Sequence, residues 1–202
     1  MKTTSLVIPI FAIFVAFCII LFSRADAAQN RIANSLTRFH VIANSDLPWD
    51  QELKLKVRDA VVQYAESVTR AASNKVEAEA TLKEHLPDFE RIANAVLQKE
   101  GASYTAYATF SHRYFPTKAY AGFRLPAGDY DAVSIILGNG QGRNFWCVLF
   151  PPLCVTPVSI TDANISLSDA DISVITEDDP EIRYRFFLME LCGKITHKIS
   201  RK

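Results

Sequence analysis

The chain has no excess of charge of either sign. Its 22 basic residues are matched by 22 acidic ones, so nothing in the composition would hold a polyanion by charge alone. It has four cysteines and four histidines, and neither set is spaced as metal ligands are. No C-x-x-C pair exists, which removes support for a thioredoxin-like redox role, and His40, His85, His112 and His197 are scattered without a second ligand nearby. Asp169-Ala170-Asp171 lacks the glycine and closing glutamate of a calcium loop and reads as a solvated acidic loop. No internal repeat is visible. The glycine-rich run Gly138-Asn139-Gly140-Gln141-Gly142 leads into the strand-like Phe145-Trp146-Cys147-Val148. A phosphate cradle must instead open a helix whose amides face the anion, so a hairpin loop is expected here. No cofactor, metal or nucleic acid is expected to bind.

What the chain does have is a long apolar run at its amino terminus. Lys2 precedes an apolar block over residues 6–22, which ends in Ser23-Arg24-Ala25-Asp26-Ala27-Ala28. Ala25 and Ala27 suit signal peptidase and place a cut after Ala27, while about 20 apolar residues are also enough to cross a bilayer uncleaved. Residues 1–27 are therefore read as a signal peptide or signal anchor, and residues 28–202 as a single exported domain. Removing Lys2, Arg24 and Asp26 with the leader leaves 20 basic against 21 acidic residues, a formal charge of −1.

Export bears on the cysteines. Cys18 lies in the leader, whereas Cys147 and Cys154 flank Pro151-Pro152, a pair that favours a bend able to bring the two sulfurs together. In an oxidising compartment the expected outcome is a disulfide, the alternative being two buried thiols. Cys192 sits on an apolar helical face at residues 186–192 and reads as an inert core thiol.

Along the body, residues 36–43 alternate as a strand until Asn44-Ser45-Asp46 breaks it. Ser45 or Asp46 is placed to cap a following helix, with Pro48 in its first turn and an apolar stripe of Leu53, Val57, Ala60, Val61, Tyr64 and Val68 running to about residue 72. Lys54 falls off that stripe. A second helical region starts near Asn74, breaks at Pro87 and stops at Gly101. The period then changes to two, giving strands from residue 103, over residues 120–125, over 133–137 and over 145–150. Residues 155–179 are polar and acidic and read as a surface loop, and Pro180 opens a final amphipathic helix. The order of elements predicts an α+β fold: an antiparallel sheet with packed helices.

Two groups carry candidate chemistry. His40 with Asn44, Ser45 and Asp46 is the most enzyme-like, because a histidine beside a carboxylate makes a general base. No activated serine or cysteine motif accompanies it, so the preferred reading is structural: Asn44, Ser45 and Asp46 turn the chain and cap the helix. The second group is aromatic, Tyr114-Phe115-Pro116-Thr117-Lys118-Ala119-Tyr120, which is either core padding or an exposed recognition surface.

At these residues the chain resembles the stage II sporulation protein R family of endospore-forming bacteria. The blocks that carry the resemblance are residues 39–46 (FHVIANSD) with 53–61 (LKLKVRDAV), residues 114–118 (YFPTK), and residues 126–133 (PAGDYDAV) leading to 144–154 (NFWCVLFPPLC). Two departures are that Phe145 stands where the family often has tryptophan, and that the tyrosine-glycine step after Lys118 is interrupted. The resemblance implies a signal exported from the forespore into the space between forespore and mother-cell membranes. There it would activate a membrane-embedded aspartic protease of the mother cell, which cleaves the pro-form of sigma-E. It implies no catalytic residues in this chain, which would act by binding and not as an enzyme. Tyr114, Lys118, Arg143 and Trp146, on turns and of residue types that dominate interfaces, are the expected partner-binding residues. The competing readings are an exported hydrolase using His40 and Asp46, a thiol enzyme using Cys147, and a structural envelope protein.

Overall fold

A computed structural model describes residues 4–154 apart from residue 121, together with Ile172, Ile175 and Thr176. The rest of the expected acidic loop at 155–179, the expected final helix and Cys192 lie outside the described residues.

The chain begins with helix α1, Thr4–Ser35, which runs without interruption past Ala27 and contains Pro9. Its segment Pro9–Ser35 is long and apolar enough to cross a membrane, and Ile10, Phe11, Ile13 and Phe14 are exposed. Only the last turns pack on the body, through the buried Ile32 and Ala33. The apolar segment and the turns that pack on the body thus share one helix.

Strand β1, Thr37–Ile42, is followed by helix α2, Pro48–Thr69. Leu53, Val57 and Val61 of the expected stripe are fully buried, whereas Ala60, Tyr64 and Val68 are half-buried. Lys54 departs from expectation and is buried as well, because its ammonium is tied to Gln51 (2.6 Å) and to the Arg143 carbonyl (3.0 Å). Helix α3, Lys75–Glu84, is capped by Asn74, whose side chain accepts from the Glu77 amide. Helix α4, Leu86–Lys99, takes Pro87 in its first turn, where a missing N–H costs no hydrogen bond. Gly101, at φ 78°, ends it: the Gly101 and Ala102 amides return to the Gln98 and Leu97 carbonyls.

The remaining strands are β2, Ala106–Phe115, β3, Lys118–Tyr120, β4, Phe123–Leu125, β5, Gly128–Leu137, and β6, Asn144–Phe150. The strand expected over residues 120–125 is a small β3–β4 hairpin, since Gly122 at φ 83° reverses the chain. The main sheet has the order β2-β5-β1-β6. It is antiparallel except at β1 and β5, which pair in parallel with Arg38 opposite Ala132 and Ile42 opposite Ile136.

That order corrects the reading of residues 138–142. They do not close a hairpin, because β1 lies between β5 and β6. The loop instead arches over the end of β1, with the Gln141 amide on the Asn44 carbonyl (3.2 Å) and the Gly142 amide on the Ala43 carbonyl (2.9 Å). A Cβ on Gly142 would collide with the Ser45 carbonyl, which is why glycine stands there.

The sheet is covered on both faces. Phe39 and Val41 point to the helices and join Leu53, Val57, Phe89 and Leu97. By strand alternation Arg38 and His40 point the other way, towards a second apolar group that includes Phe115, Tyr130, Val148, Ile32 and Leu125. Cys147 and Cys154 form the expected disulfide, with their Cα atoms 5.4 Å apart.

Candidate functional site

The turn between β1 and α2 is built around Asp50. This carboxylate is only 3% exposed, and it accepts from Asn44 Nδ2 (2.9 Å), the Ser45 hydroxyl (2.5 Å) and the Tyr104 hydroxyl (2.5 Å). Burial alone would raise its pKa, but the hydrogen bonds from Ser45, Tyr104 and Asn44 outweigh burial and hold it below the ordinary carboxylate value. The same contact acts on Tyr104, whose hydroxyl is pushed up by burial and by its bond to Asp50.

Here the expected helix cap is corrected. The residue at the cap position of α2 is Leu47, with no side-chain cap bond. Ser45 Oγ is turned to Asp50 and accepts from the Leu47 amide (3.2 Å). Asp46 reaches across to the other loop, where Oδ1 accepts from the Arg143 amide (2.7 Å) and lies 3.5 Å from Arg143 Nε. Asn44 Oδ1 accepts from the Asn139 amide (3.0 Å). Pro48, with no N–H, leaves one donor fewer to satisfy at the helix start. Asn44, Ser45 and Asp46 therefore clamp two loops together. Lys54 completes the clamp through the Arg143 carbonyl, and Gln51 through the Ser45 carbonyl (2.9 Å). Outside this polar unit, Leu47 is 65% and Trp49 47% exposed, and the Arg143 side chain is 75% exposed.

His40 does not join Asp46. On the opposite side of the sheet its Nε2 lies 2.6 Å from the Ser134 hydroxyl and 3.3 Å from Arg113 Nη1. An arginine N–H aimed at Nε2 makes that nitrogen the acceptor, which puts the ring proton on Nδ1. Nδ1 has no hydrogen-bond partner among the described residues. Burial, then Arg113, then Arg38 lower its pKa to about 4, so the ring is neutral at neutral pH. Ser134 is fully buried. The His40–Asp46 base of the hydrolase reading is not assembled, because Asp46 is engaged with Arg143. The disulfide likewise occupies the Cys147 thiol on which a thiol enzyme would depend.

The four expected contact residues fall in three places. Arg143 belongs to the Asp50 clamp. Trp146 stacks on His40 (5.1 Å between ring centroids, 15° between planes) and meets Phe115 edge-on at 4.8 Å, and the Lys118 ammonium lies 5.7 Å from the Trp146 ring. Tyr114 is half-buried on β2, opposite Asp129. Trp146 is thus committed to packing on its inner side, with Lys118 above it.

Two residues that organise these places were missed by reading the sequence. One is Asp50. The other is Arg38, fully buried, which donates from Nε to the Cys147 carbonyl (3.2 Å) and from Nη2 to the Tyr120 hydroxyl (2.9 Å). Its guanidinium lies 4.6 Å from the Phe115 ring centroid and 4.9 Å from that of Tyr130, and burial lowers its pKa. No carboxylate pairs with it among the described residues, and Nη1 has no hydrogen-bond partner there. Strand alternation puts Arg38 beside His40, but nothing in the sequence marks that face as covered. Among the described residues no group of three or more His, Cys, Asp or Glu side chains is placed to hold a metal.

Both clusters and the disulfide lie within residues 33–160, the stretch matched by the family model described as stage II sporulation protein R (spore_II_R). This chain belongs to that family. Stage II sporulation protein R of Bacillus subtilis (strain 168) is 38% identical over 152 residues, covering 74% of this chain and 68% of that protein. No solved structure matches. The family places the chain in sporulation, and the match takes in nearly all of the described body from the end of α1 through the disulfide.

Proposed function

We propose that this stage II sporulation protein R family member is an exported signal. It would be made in the forespore, cross into the space between forespore and mother-cell membranes, and activate the membrane-embedded aspartic protease that processes the pro-form of sigma-E. The observation that carries this reading is the family match across residues 33–160. Two features support it: the amino-terminal helix is long and apolar enough to cross a membrane, and a disulfide ties Cys147 to Cys154, as suits a compartment outside the reducing cytoplasm.

The chain would act by binding. His40 is buried, lacks a carboxylate partner among the described residues and has its proton affinity lowered, all of which oppose work as a general base. Activation by binding has one thermodynamic requirement: the chain must bind the active state of the protease more tightly than the inactive one. A shift from 1:99 to 99:1 needs about 5.5 kcal/mol of that difference. The test is co-expression of the full chain with the protease and the sigma-factor precursor in a non-sporulating host. Processing that depends on this chain is expected. Processing without it, or none with it, overturns the reading.

A further inference from the structure

The end of the domain formed by the Asp50 clamp has three properties that packing does not account for. Leu47 and Trp49 are exposed on either side of Pro48. Isolated exposed apolar residues are ordinary on a protein surface, but these two stand at the start of α2, next to a turn held by part-buried hydrogen bonds to Asp50 and to the Ser45 carbonyl. The carboxylate of Asp50 and the side chains of Asn44, Ser45 and Tyr104 shape the support, while the apolar groups face outward. A support of this kind lowers the ordering cost of binding, because the loop is already in one conformation.

The second property is position. The membrane-compatible helix leaves the domain at the end where β1 and β5 begin: the Gln29 side chain packs so closely on Gly128 that a Cβ there would collide with it, and Lys75 joins the Ala33 carbonyl (3.1 Å) to Asp131 (2.8 Å). The clamp lies at the end where both strands finish. Ten residues of β5 separate the two ends by about 30 Å at the usual strand rise. A domain held by α1 therefore presents Leu47 and Trp49 away from its own bilayer.

The third property is charge. Arg143 and Asp46 sit side by side at the edge of this apolar pair. Adjacent opposite charges are complementary to the mixed rim of a protein interface, and they offer no net attraction to an anionic lipid surface or to a polyanion.

We propose that this end, with Trp49 and Leu47 as anchors and the Asp46–Arg143 pair at the rim, is the surface that docks into an apolar pocket of a protein in the facing membrane. The inference rests on the exported-signal reading and names its contact surface. Tryptophan and arginine are the residue types that most often dominate such contacts. The expected contact residues Lys118 and Trp146 are in a different place, on the far side of the sheet.

The test uses the full chain, the full-length protease and the precursor in the non-sporulating host, reading both processing and co-purification of the protease. Leu47→Ser combined with Trp49→Ala should lower both by about tenfold or more, with the melting temperature and the disulfide unchanged. Val76→Ser and Tyr107→Ser, which remove exposed apolar side chains elsewhere, should change neither. Should the double variant fold less well, Trp49→Phe has to retain processing where Trp49→Ser loses it. Wild-type behaviour of the folded double variant overturns the docking surface while leaving the exported signal standing, as does an equal loss in the two control variants. Failure of the wild-type chain itself to bind or to trigger processing removes the exported signal and this surface with it. Quenching of Trp49 fluorescence by brominated lipid, in proteoliposomes of the full chain carrying Trp146→Phe, would assign the end to a membrane and also overturn the proposal.

Discussion

Asp50 and Arg38 are both charged groups withdrawn from water on neighbouring elements, and their surroundings differ in kind. Asp50 is surrounded by donors: a hydroxyl, a phenol and an amide converge on its two oxygens, and its pKa falls although burial would raise it. Arg38 shares its face of the sheet with His40 and Arg113, and it is held by a carbonyl, a phenol and aromatic rings with no carboxylate among the described residues. A saturated anion fixes one loop geometry. At His40 burial first, and then the neighbouring cations Arg113 and Arg38 with no carboxylate beside them among the described residues, lower the proton affinity. The first arrangement yields shape at the surface, and the second makes the interior sensitive to pH.

The comparison breaks most readily at its two centres. Asp50→Ala leaves the Tyr104, Asn44 and Ser45 donors without their acceptor and is expected to cost about 3 to 4 kcal/mol in chemical denaturation. Arg38→Met keeps the volume and stem of the side chain, removes a buried charge that lacks a described carboxylate, and should stay within about 1 kcal/mol of the parent. Equal losses in the two variants would erase the distinction.

Next in size is the effect of acid. His40 has a folded pKa of about 4 against an unfolded value of 6.5, so the unfolded chain takes up the proton first as the pH drops. The stability tied to the neutral ring is complete above pH 6.5 and is lost as the pH falls towards 4, by about 3 kcal/mol. In His40→Gln that part of the pH profile should flatten, whereas Asp50→Asn should leave the slope in this window in place. A parent protein whose unfolding free energy is level between pH 6.5 and 4 contradicts the account of the sheet face.

Removing the disulfide comes after that. Cys147→Ser with Cys154→Ser should lower stability by about 2 to 3 kcal/mol, since it frees a short loop in the unfolded chain. The bond itself is checked by alkylation and mass spectrometry of the unreduced exported protein, in which neither thiol should react. Because the bridge joins the middle of β6 to the segment beyond its end and does not touch the 138–143 loop, hydrogen exchange at the Gly142 and Arg143 amides should keep its local protection in this variant.

The smallest effect separates the two surfaces. Lys118→Ala and Arg143→Ala should each change stability by under about 0.5 kcal/mol, as removal of a surface charge usually does. Their effects on precursor processing should differ. Arg143→Ala, at the rim of the exposed end, weakens it by less than the Trp49 substitution, while Lys118→Ala leaves it unchanged. Loss of processing in Lys118→Ala alone would move the contact surface to the face of Trp146.

Much of the fold was legible along the chain because its signals are local. The apolar stripe of α2, the helix start near Asn74, the entry of Pro87 into α4, the Gly101 stop and the pairing of Cys147 with Cys154 around two prolines all depend on residues within a turn or a short loop of one another. The readings that changed depend on partners far away in sequence. The run at residues 138–142 looks like a hairpin until β1 is inserted between β5 and β6. Ser45 and Asp46 look like caps until the Ser45 hydroxyl donates to Asp50 and the Arg143 amide takes the Asp46 oxygen, and Lys54 looks wet until the Arg143 carbonyl is brought to its ammonium.

By itself the sequence therefore determined the α+β class, the exposed apolar helix, the disulfide and the family blocks, since each is written in spacing and residue type. Only the tertiary structure decided which polar residues meet. Strand order is a matter of long-range pairing, and it places His40 and Asp46 on different errands, sends Arg143 to one end of the sheet and Trp146 to its far face, and leaves Leu47 and Trp49 pointing into solvent. A hydrogen bond needs its partners within about 3 Å, and along this chain that distance is set by the sheet.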